Sequence, residues 1–456
     1  MGLVNARRKP LGRAARLAQL GAGIAGSYLG YQFQRPFLDD QQNSERWRAL
    51  RRKSAKQIRE GLQDLRGPLM KVGQALSMQT HIFDADVVEE LAGLQMQAPP
   101  MHTTLMRAQF KSALGKYPEE AFHSFEPEPF AAASLGQVHW AVTKRGEEVA
   151  VKIQYPAIRQ AIESDFKMLR TAGFAARLTG HLQASVVREA ERGMLEETDY
   201  LHEACNLQFF EEHLAPLTFM RVPKVHPEFS CEQVLTMSRV RGLRLQEFLK
   251  TNPSQEVRDK IGVGLTHLFF FQLFRMQALH ADPHPGNYLF NPDGSIGLVD
   301  FGCVKYLKPQ VIRCYAQFWL REWVHNAELH AEMIRTVFGP KISPNEPRVR
   351  RCMNGIRRFY DLYHPLHQAP ATINLADAKF MAGLNELAKT LLKNKFLSPE
   401  FLFLSRTESG MCNLLHTLKS RVATSQIARE WMPPSSSIKS RTPLPRESDT
   451  SLPANK

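Results

Sequence analysis

The 456-residue sequence predicts an α+β protein of two lobes, with a helical extension before the first lobe and extra helices in the second. Three observations carry this. Residues 58–76 place Ile58, Leu62, Leu65, Leu69, Val72 and Leu76 at helical spacing ahead of the first lobe. In "WAVTKRGEEVAVKIQYP" (140–156) two apolar runs flank a Lys144-Arg145-Gly146 turn, the pattern of paired strands. A second pair, "YLFNPDGSIGLVDFG" (288–302), follows much later in the chain. A hydrophobic content of 43% in a chain of this length can fill two cores.

In chain order, residues 1–40 form a basic, apolar leader. Arg7, Arg8, Lys9, Arg13, Arg16 and Arg35 occur there with no acidic residue through position 38, as in a mitochondrial transit peptide or a basic segment lying on a membrane. Both readings stand. Ala22, Gly26 and Gly30 make a small-residue stripe of the kind that lets membrane helices pack, against a neighbour in the same chain or a second copy in a homodimer. The apolar stretch 17–31 is fifteen residues long, shorter than the ~20 that span a bilayer, so a span, an interfacial segment and a cleaved region remain alternatives. "MGLVNA" lacks Ser or Thr at position six, which argues against myristoylation. Residues 41–125 form the helical extension, interrupted near Pro99-Pro100 and bearing Lys71, Gly73 and Gln74 in "KVGQ".

Residues 126–240 form the first lobe. In "FAAASLGQVHW" (130–140), Ala131, Ala132, Ala133 and Ser134 occupy the turn before an apolar strand. Alanine carries a Cβ, so such a turn approaches phosphate oxygens less closely than a glycine-rich one. Val149-Ala150-Val151-Lys152 then sets a lysine on a strand. Taken alone, a guard against edge pairing is a sufficient reading of Lys152. "EQVLTMSRV" (232–240) reads as the strand leading to the hinge.

Residues 241–430 form the second lobe, centred on "HADPHPGN" (280–287). His280 and His284 stand four apart, the spacing of a zinc-binding helix. Pro283 and Pro285 forbid that helix, because each lacks a backbone donor and clashes with the preceding turn. The segment is a rigid loop. In such a loop an Asp followed five positions later by an Asn, here Asp282 and Asn287, is how kinase-type phosphotransferases set a catalytic carboxylate beside a magnesium-binding amide. That predicts a second metal-binding Asp nearby. "NPDG" turns the chain between two short strands and returns it at Asp300-Phe301-Gly302, beside Asn287 and Asp282. A site of this kind also needs a strand lysine for the nucleotide phosphates, which Lys152 supplies. The predicted fold is thus a two-lobed protein-kinase-like one, with ATP and Mg2+ as cofactors. After Gly302 the chain enters a helix near Pro309 after a few residues and without an APE sequence, leaving little room for a peptide platform. Arg350, Arg351, Arg357 and Arg358 mark a basic helix, a solvated face or a surface for anionic headgroups, and His364 and His367 around Pro365 read as a loop. Residues 431–456 form a Pro/Ser-rich tail expected to be disordered.

The alanine-rich turn with its VAVK lysine, "EETDYLHEACN" (196–206), "HADPHPGN", "LVDFG" and, ahead of them, "KVGQ" cover roughly residues 55 to 305. Together they resemble the UbiB family of atypical protein-kinase-like ATPases linked to ubiquinone and lipid metabolism. The resemblance implies that Lys152 pairs with Glu203 and contacts the nucleotide phosphates, that Asp282 is the catalytic-loop aspartate, and that Asn287 and Asp300 hold magnesium. It puts Ala131, Ala132, Ala133 and Ser134 where a conventional kinase has its glycine-rich loop. Lys71 and Gln74 would reach the site from a helix lying across it, and Glu197 and Asp199 match an ExD motif that shapes the nucleotide pocket. From the residues themselves, Glu197, Asp199 and Glu203 read as an acidic cluster on one helix, with a solvated face as the competing reading. The same competing reading applies to Lys71 and Gln74.

The net charge of +14 comes without basic residues interleaved with aromatics, which favours anionic lipid over nucleic acid as a partner. Six scattered cysteines with no CxxC pair argue against a disulfide framework and a zinc knuckle and suit a reducing compartment. The leading functional expectation is a magnesium-dependent, membrane-associated ATPase serving ubiquinone biosynthesis or lipid homeostasis, with isoprenoid-quinone intermediates or their enzymes as partners. Its place would be the mitochondrion of a eukaryote or the cytoplasmic side of a bacterial inner membrane. A small-molecule phosphotransferase and a catalytically silent nucleotide-binding scaffold are the alternatives.

Overall fold

The computed structural model describes residues 101–132, 135–171, 191–320, 322–340, 342–368 and 398–432, with scattered positions before residue 57 and between 373 and 386. The KVGQ segment, Ala133, Ser134, residues 17–26 and 28–30 of the candidate span, and residues from 433 lie outside the described residues; the tail expected from 431 starts later, since a helix runs Thr424–Trp431. The described part is α+β, as the sequence predicts. It divides into two compact units, one of Met1–Gly146, Val151–Asp199 and Cys231–Val234, the other of Glu147–Ala150, Tyr200–Ser230 and Leu235–Lys456.

In the first unit, helix α1 (Thr103–Leu114) starts where the His102 side chain accepts the Thr104 N–H and stops at Gly115, whose φ of 75° turns the chain out of the helix. Met106 and Phe110, four apart, project from one face into the core. Phe110 meets Phe122 and Phe125 at ring-centroid distances of 5.9 and 6.3 Å. Strands β1 (Ser124–Phe125), β2 (Ala131–Ala132) and β3 (Gly136–Val142) precede β4 (Glu148–Gln154) and helix α2 (Ile158–Thr171). The sheet runs β1-β3-β4-β6, with β2 beside β3; β6 spans Val234–Ser238, of which Val234 alone belongs to this unit. Ala131 and Ala132, expected in a turn, continue the ladder instead, opposite Val138 and Gln137. Strand β3 comes so close to β4 that a Cβ on Gly136 would lie 2.1 Å from the Ile153 carbonyl oxygen. A buried polar chain crosses this unit. The Met101 N–H donates to Gln137 Oε1 at 2.8 Å, Gln137 Nε2 to His139 Nε2 at 2.8 Å, and His139 Nδ1 to the Glu126 carbonyl at 2.8 Å. Burial holds the His139 pKa below its ordinary value, in keeping with the neutral tautomer this chain requires.

The second unit begins with α3 (Tyr200–Leu214), whose Tyr200, Glu203, Ala204, Leu207, Phe210 and Leu214 recur at helical spacing on its buried face. Strand β5 (Met220–Arg221) and helix α4 (Gln255–Phe271) lead to β7 (Ala278–His280), β8 (Tyr288–Phe290), β9 (Ile296–Leu298) and β10 (Val304–Tyr306). Strands β8 and β9 form the expected hairpin, pairing Tyr288 with Leu298 and Phe290 with Ile296, while β5 lies parallel to β9. Its tip is fixed by Asp293 Oδ1, which accepts from both the N–H and the hydroxyl of Ser295, and by Gly294 at φ 86°. Strand β7 pairs with β10.

Helix α5 (Pro309–Leu320) follows β10 after two residues, and α6 (Pro347–Gln368) and α7 (Pro399–Leu418) come later in the chain. The loop expected around Pro365 is absent, because α6 runs through His364 and His367 to Gln368. Proline's fixed φ is itself helical, so one lost backbone bond near the end of a 22-residue helix did not break it. Among the described residues no helix is long and apolar enough to cross a membrane.

Candidate functional site

The loop after β7 is held by its histidine. His280 is buried, its N–H donates to Gln272 Oε1 at 2.8 Å, and its ring Nε2 bonds the backbone carbonyl of Asp300. A carbonyl only accepts, so Nε2 carries the proton. The imidazole thus ties the Asp282 loop to the Asp300-Phe301-Gly302 segment. It sits among Phe210, Tyr288 and Phe301 at 6.4, 6.2 and 5.7 Å.

Five residues after Asp282, Asn287 closes the loop. Its Nδ2 donates to Asp282 Oδ2 at 2.8 Å and to the Asp282 carbonyl at 3.1 Å. Both acceptors lack protons to give, which orients the amide with Oδ1 turned away from Asp282. The Asn287 carbonyl in turn accepts the Val299 N–H at 3.1 Å, placing Asp300 next in line. Asp300 Oδ1 accepts from the Gly302 N–H at 3.1 Å. The sequence-predicted trio Asp282, Asn287 and Asp300 is therefore brought together. Burial, with the charge of Asp282 adding to it, pushes the Tyr288 hydroxyl up, so it stays a neutral phenol beside the loop.

Helix α3 grips the segment after Asp300. Glu203, 3% exposed, accepts the Phe301 N–H on Oε1 at 3.4 Å, and Asn206, three residues along the same face, donates to the Phe301 carbonyl at 3.1 Å. Phe301 is buried against Phe210 at 5.3 Å. A solvated face for Glu203 is excluded by this burial. Asn206 was not among the expected site residues; its place three positions after Glu203 on a buried face was the available signal.

Lys152 belongs to the first unit. It is 5% exposed on β4, which lies between β3 and β6, so the reading of an edge-strand guard fails. Two residues further, Gln154 Nε2 donates to the Thr198 carbonyl at 2.6 Å, Arg159 donates to the Thr198 hydroxyl at 3.1 Å, and that hydroxyl donates to the Leu195 carbonyl at 2.6 Å. Glu197, Thr198 and Asp199 thus form a turn between helical residues 191–196 and α3. This corrects the expectation of one continuous acidic helix: Glu197 and Asp199 share the turn, and Glu203 alone lies on α3. The physical reason is the capture of Thr198 by side chains of β4 and α2, which gives the backbone partners outside a helix. Lys71, Gln74, Ala133 and Ser134 lie outside the described residues.

The ABC1 atypical kinase-like domain matches residues 93–334. A Vibrio vulnificus protein carrying the name "Probable protein kinase UbiB" is 34% identical over 293 residues, 60% of this chain and 53% of its own length. An Arabidopsis thaliana chloroplastic protein described as an aarF domain-containing protein kinase is 35% identical over 312 residues, 67% of this chain and 42% of its own. The chain spans about half the length of these curated relatives. The solved Mycobacterium tuberculosis protein Rv3197, in complex with erythromycin, is similar with a TM-score of 0.59 and 27% identity over 86% of this chain and 98% of its own. With a kinase-like fold, the Asp282-Asn287-Asp300 trio and a domain match over more than half its length, the chain belongs to the ABC1 atypical kinase-like family, the group of UbiB and AarF proteins.

Proposed function

We propose that this chain is a magnesium-dependent ATPase of the atypical kinase type, working at a membrane surface in support of isoprenoid-quinone biosynthesis or lipid homeostasis. The observation that carries the reading is the 2.8 Å bond between Asn287 and Asp282 on a loop tied to Asp300. Amide and carboxylate oxygens are the hard donors magnesium takes, so Asn287 and Asp300 fit the ion. Bound there with ATP, magnesium would neutralise charge on the transferring phosphate. Asp282 would orient the attacking hydroxyl or water and accept its proton. In this reading Lys152 contacts the nucleotide phosphates with Glu203 as its carboxylate, the Ala131-Ala132-Ala133-Ser134 segment covers them, and Lys71, Gln74, Glu197 and Asp199 shape the pocket. Only Leu307 and Lys308 separate β10 from α5, so hydrolysis or transfer to a small or lipid-like acceptor is favoured over transfer to protein. The basic leader and the exposed Arg350, Arg351, Arg357 and Arg358 of α6 support an anionic lipid surface as partner.

The test is magnesium-dependent ATP turnover by the purified chain with and without cardiolipin-containing vesicles, with Asp300→Asn as the blank. Turnover that rises with vesicles and vanishes in the variant is the expected result. Nucleotide binding without turnover would turn the reading to a scaffold. A second reading, transfer to a soluble small molecule, draws on the erythromycin complex of the similar M. tuberculosis protein and would appear as lipid-independent phosphorylation of a soluble acceptor.

A further inference from the structure

Helix α7 lies beyond the domain match at 93–334, yet it touches the Asp282 loop. At Gly410 the contact is so close that a Cβ would lie 2.1 Å from Pro283 Cγ. One turn earlier, Arg406 Nη2 stands 3.8 Å from Asp282 Oδ1. Phe403, three residues before that, receives Lys305 Nζ over its ring at 5.1 Å. Positions 403, 406 and 410 share one helix face, and all three meet β10 or the loop. Other sides of α7 are anchored to α5 and the residue before it. The Tyr315 hydroxyl donates to Glu408 Oε1 at 2.6 Å, Phe318 packs on Phe401 at 5.6 Å, and Lys308 pairs with Glu400 at 2.6 Å.

The Asp282 carboxylate is thus approached from two elements, by Asn287 on Oδ2 and by Arg406 on Oδ1. Residues 280–290 contain no Lys or Arg, so the cation beside Asp282 comes from another element. We propose that Arg406 is a positioning residue for Asp282: guanidinium and amide, on opposite oxygens, fix the rotation of the carboxylate toward the group it orients. This rests on the reading of Asp282 as the catalytic-loop carboxylate. A part-exposed ion pair of this length contributes little to stability, whereas a misaligned reacting group lowers turnover steeply. The two roles are therefore separable by measurement.

The experiment compares the full chain with Arg406→Ala, Arg406→Lys, Asp282→Asn and the double variant Asp282→Asn/Arg406→Ala. Readouts are kcat and KM for Mg-ATP, affinity for a fluorescent ATP analogue, and the urea midpoint. Arg406→Ala should lower kcat roughly 10- to 100-fold while KM, nucleotide affinity and the urea midpoint stay near wild type. Arg406→Lys should recover part of the loss, since it restores the charge without the planar fork. At high enzyme concentration, where the residual turnover of Asp282→Asn is measurable, adding Arg406→Ala should cost nothing more. An equal loss in both backgrounds, an effect on KM or nucleotide affinity instead of kcat, or an unchanged kcat would each overturn the proposal. If the wild-type protein shows no turnover, or keeps it in Asp300→Asn, the functional reading falls and this proposal with it. Turnover lost in Asp300→Asn and Asp282→Asn but intact in Arg406→Ala sinks the positioning role alone.

Discussion

Replacing Glu408 with glutamine should flatten the pH dependence of stability between pH 5 and 8. Glu408 sits on α7, where its carboxyl is enclosed with Tyr315 and Cys412. Burial raises its pKa from the ordinary 4.5 to about 7, against the smaller lowering effect of the Tyr315 hydrogen bond. A carboxyl with a raised folded-state pKa holds its proton through a range in which the unfolded chain has already lost it. Stability therefore falls as pH rises from 4.5, and the loss is complete above about 7. At about 1.4 kcal/mol per pH unit the whole displacement amounts to about 3 kcal/mol, of which roughly 2 to 3 kcal/mol falls between pH 5 and 8. Glutamine keeps the shape and a partner for Tyr315 but cannot ionise. Urea unfolding of wild type and Glu408→Gln at pH 5, 6, 7 and 8 measures the difference directly, because groups common to both proteins cancel. The wild type should lose ground steadily to the variant as pH rises, and parallel curves would refute the burial argument.

Three further outcomes follow from close contacts. Gly136→Ala drives a Cβ into the Ile153 carbonyl and must open β3 from β4, which should cost about 1–3 kcal/mol and lower the urea midpoint; an unchanged midpoint contradicts it. Gly410→Ala forces α7 off Pro283, so ATP turnover should fall at least as far as in Arg406→Ala, and full turnover would show that the helix can move without disturbing Asp282. His280→Phe keeps an aromatic ring among Phe210, Tyr288 and Phe301 but deletes the bond to the Asp300 carbonyl. Because it also removes the buried Nδ1, which has no hydrogen-bond partner among the described residues, the stability change should stay within about 1–2 kcal/mol, while turnover should fall more than tenfold. Turnover that stays at the wild-type level would show that Asp300 needs no such anchor.

The parts of the site that the sequence made legible are those closed by short stretches of chain. Asp282 and Asn287 share one proline-stiffened loop, and a hairpin of two three-residue strands returns the chain to Asp300, so their spacing fixes their neighbourhood. The turn at Glu197-Thr198-Asp199 was not legible, because residues around it suit a helix and the break depends on Gln154 and Arg159, which reach Thr198 from far upstream. The strand at Ala131 and Ala132 is hidden for the converse reason: small residues do not mark where a ladder ends, and backbone pairing with β3 decides it. Arg406 and Gly410 carry no motif at all, since their meaning lies in contacts with a loop more than a hundred residues away. A local anomaly nevertheless marks the spot. Glycine inside a helix costs about 1 kcal/mol relative to alanine, and the 20-residue α7 keeps one at 410, where alanine would collide with Pro283. That local weakness is offset by the approach it permits, and the approach is what brings a guanidinium, one turn away, to the carboxylate of Asp282.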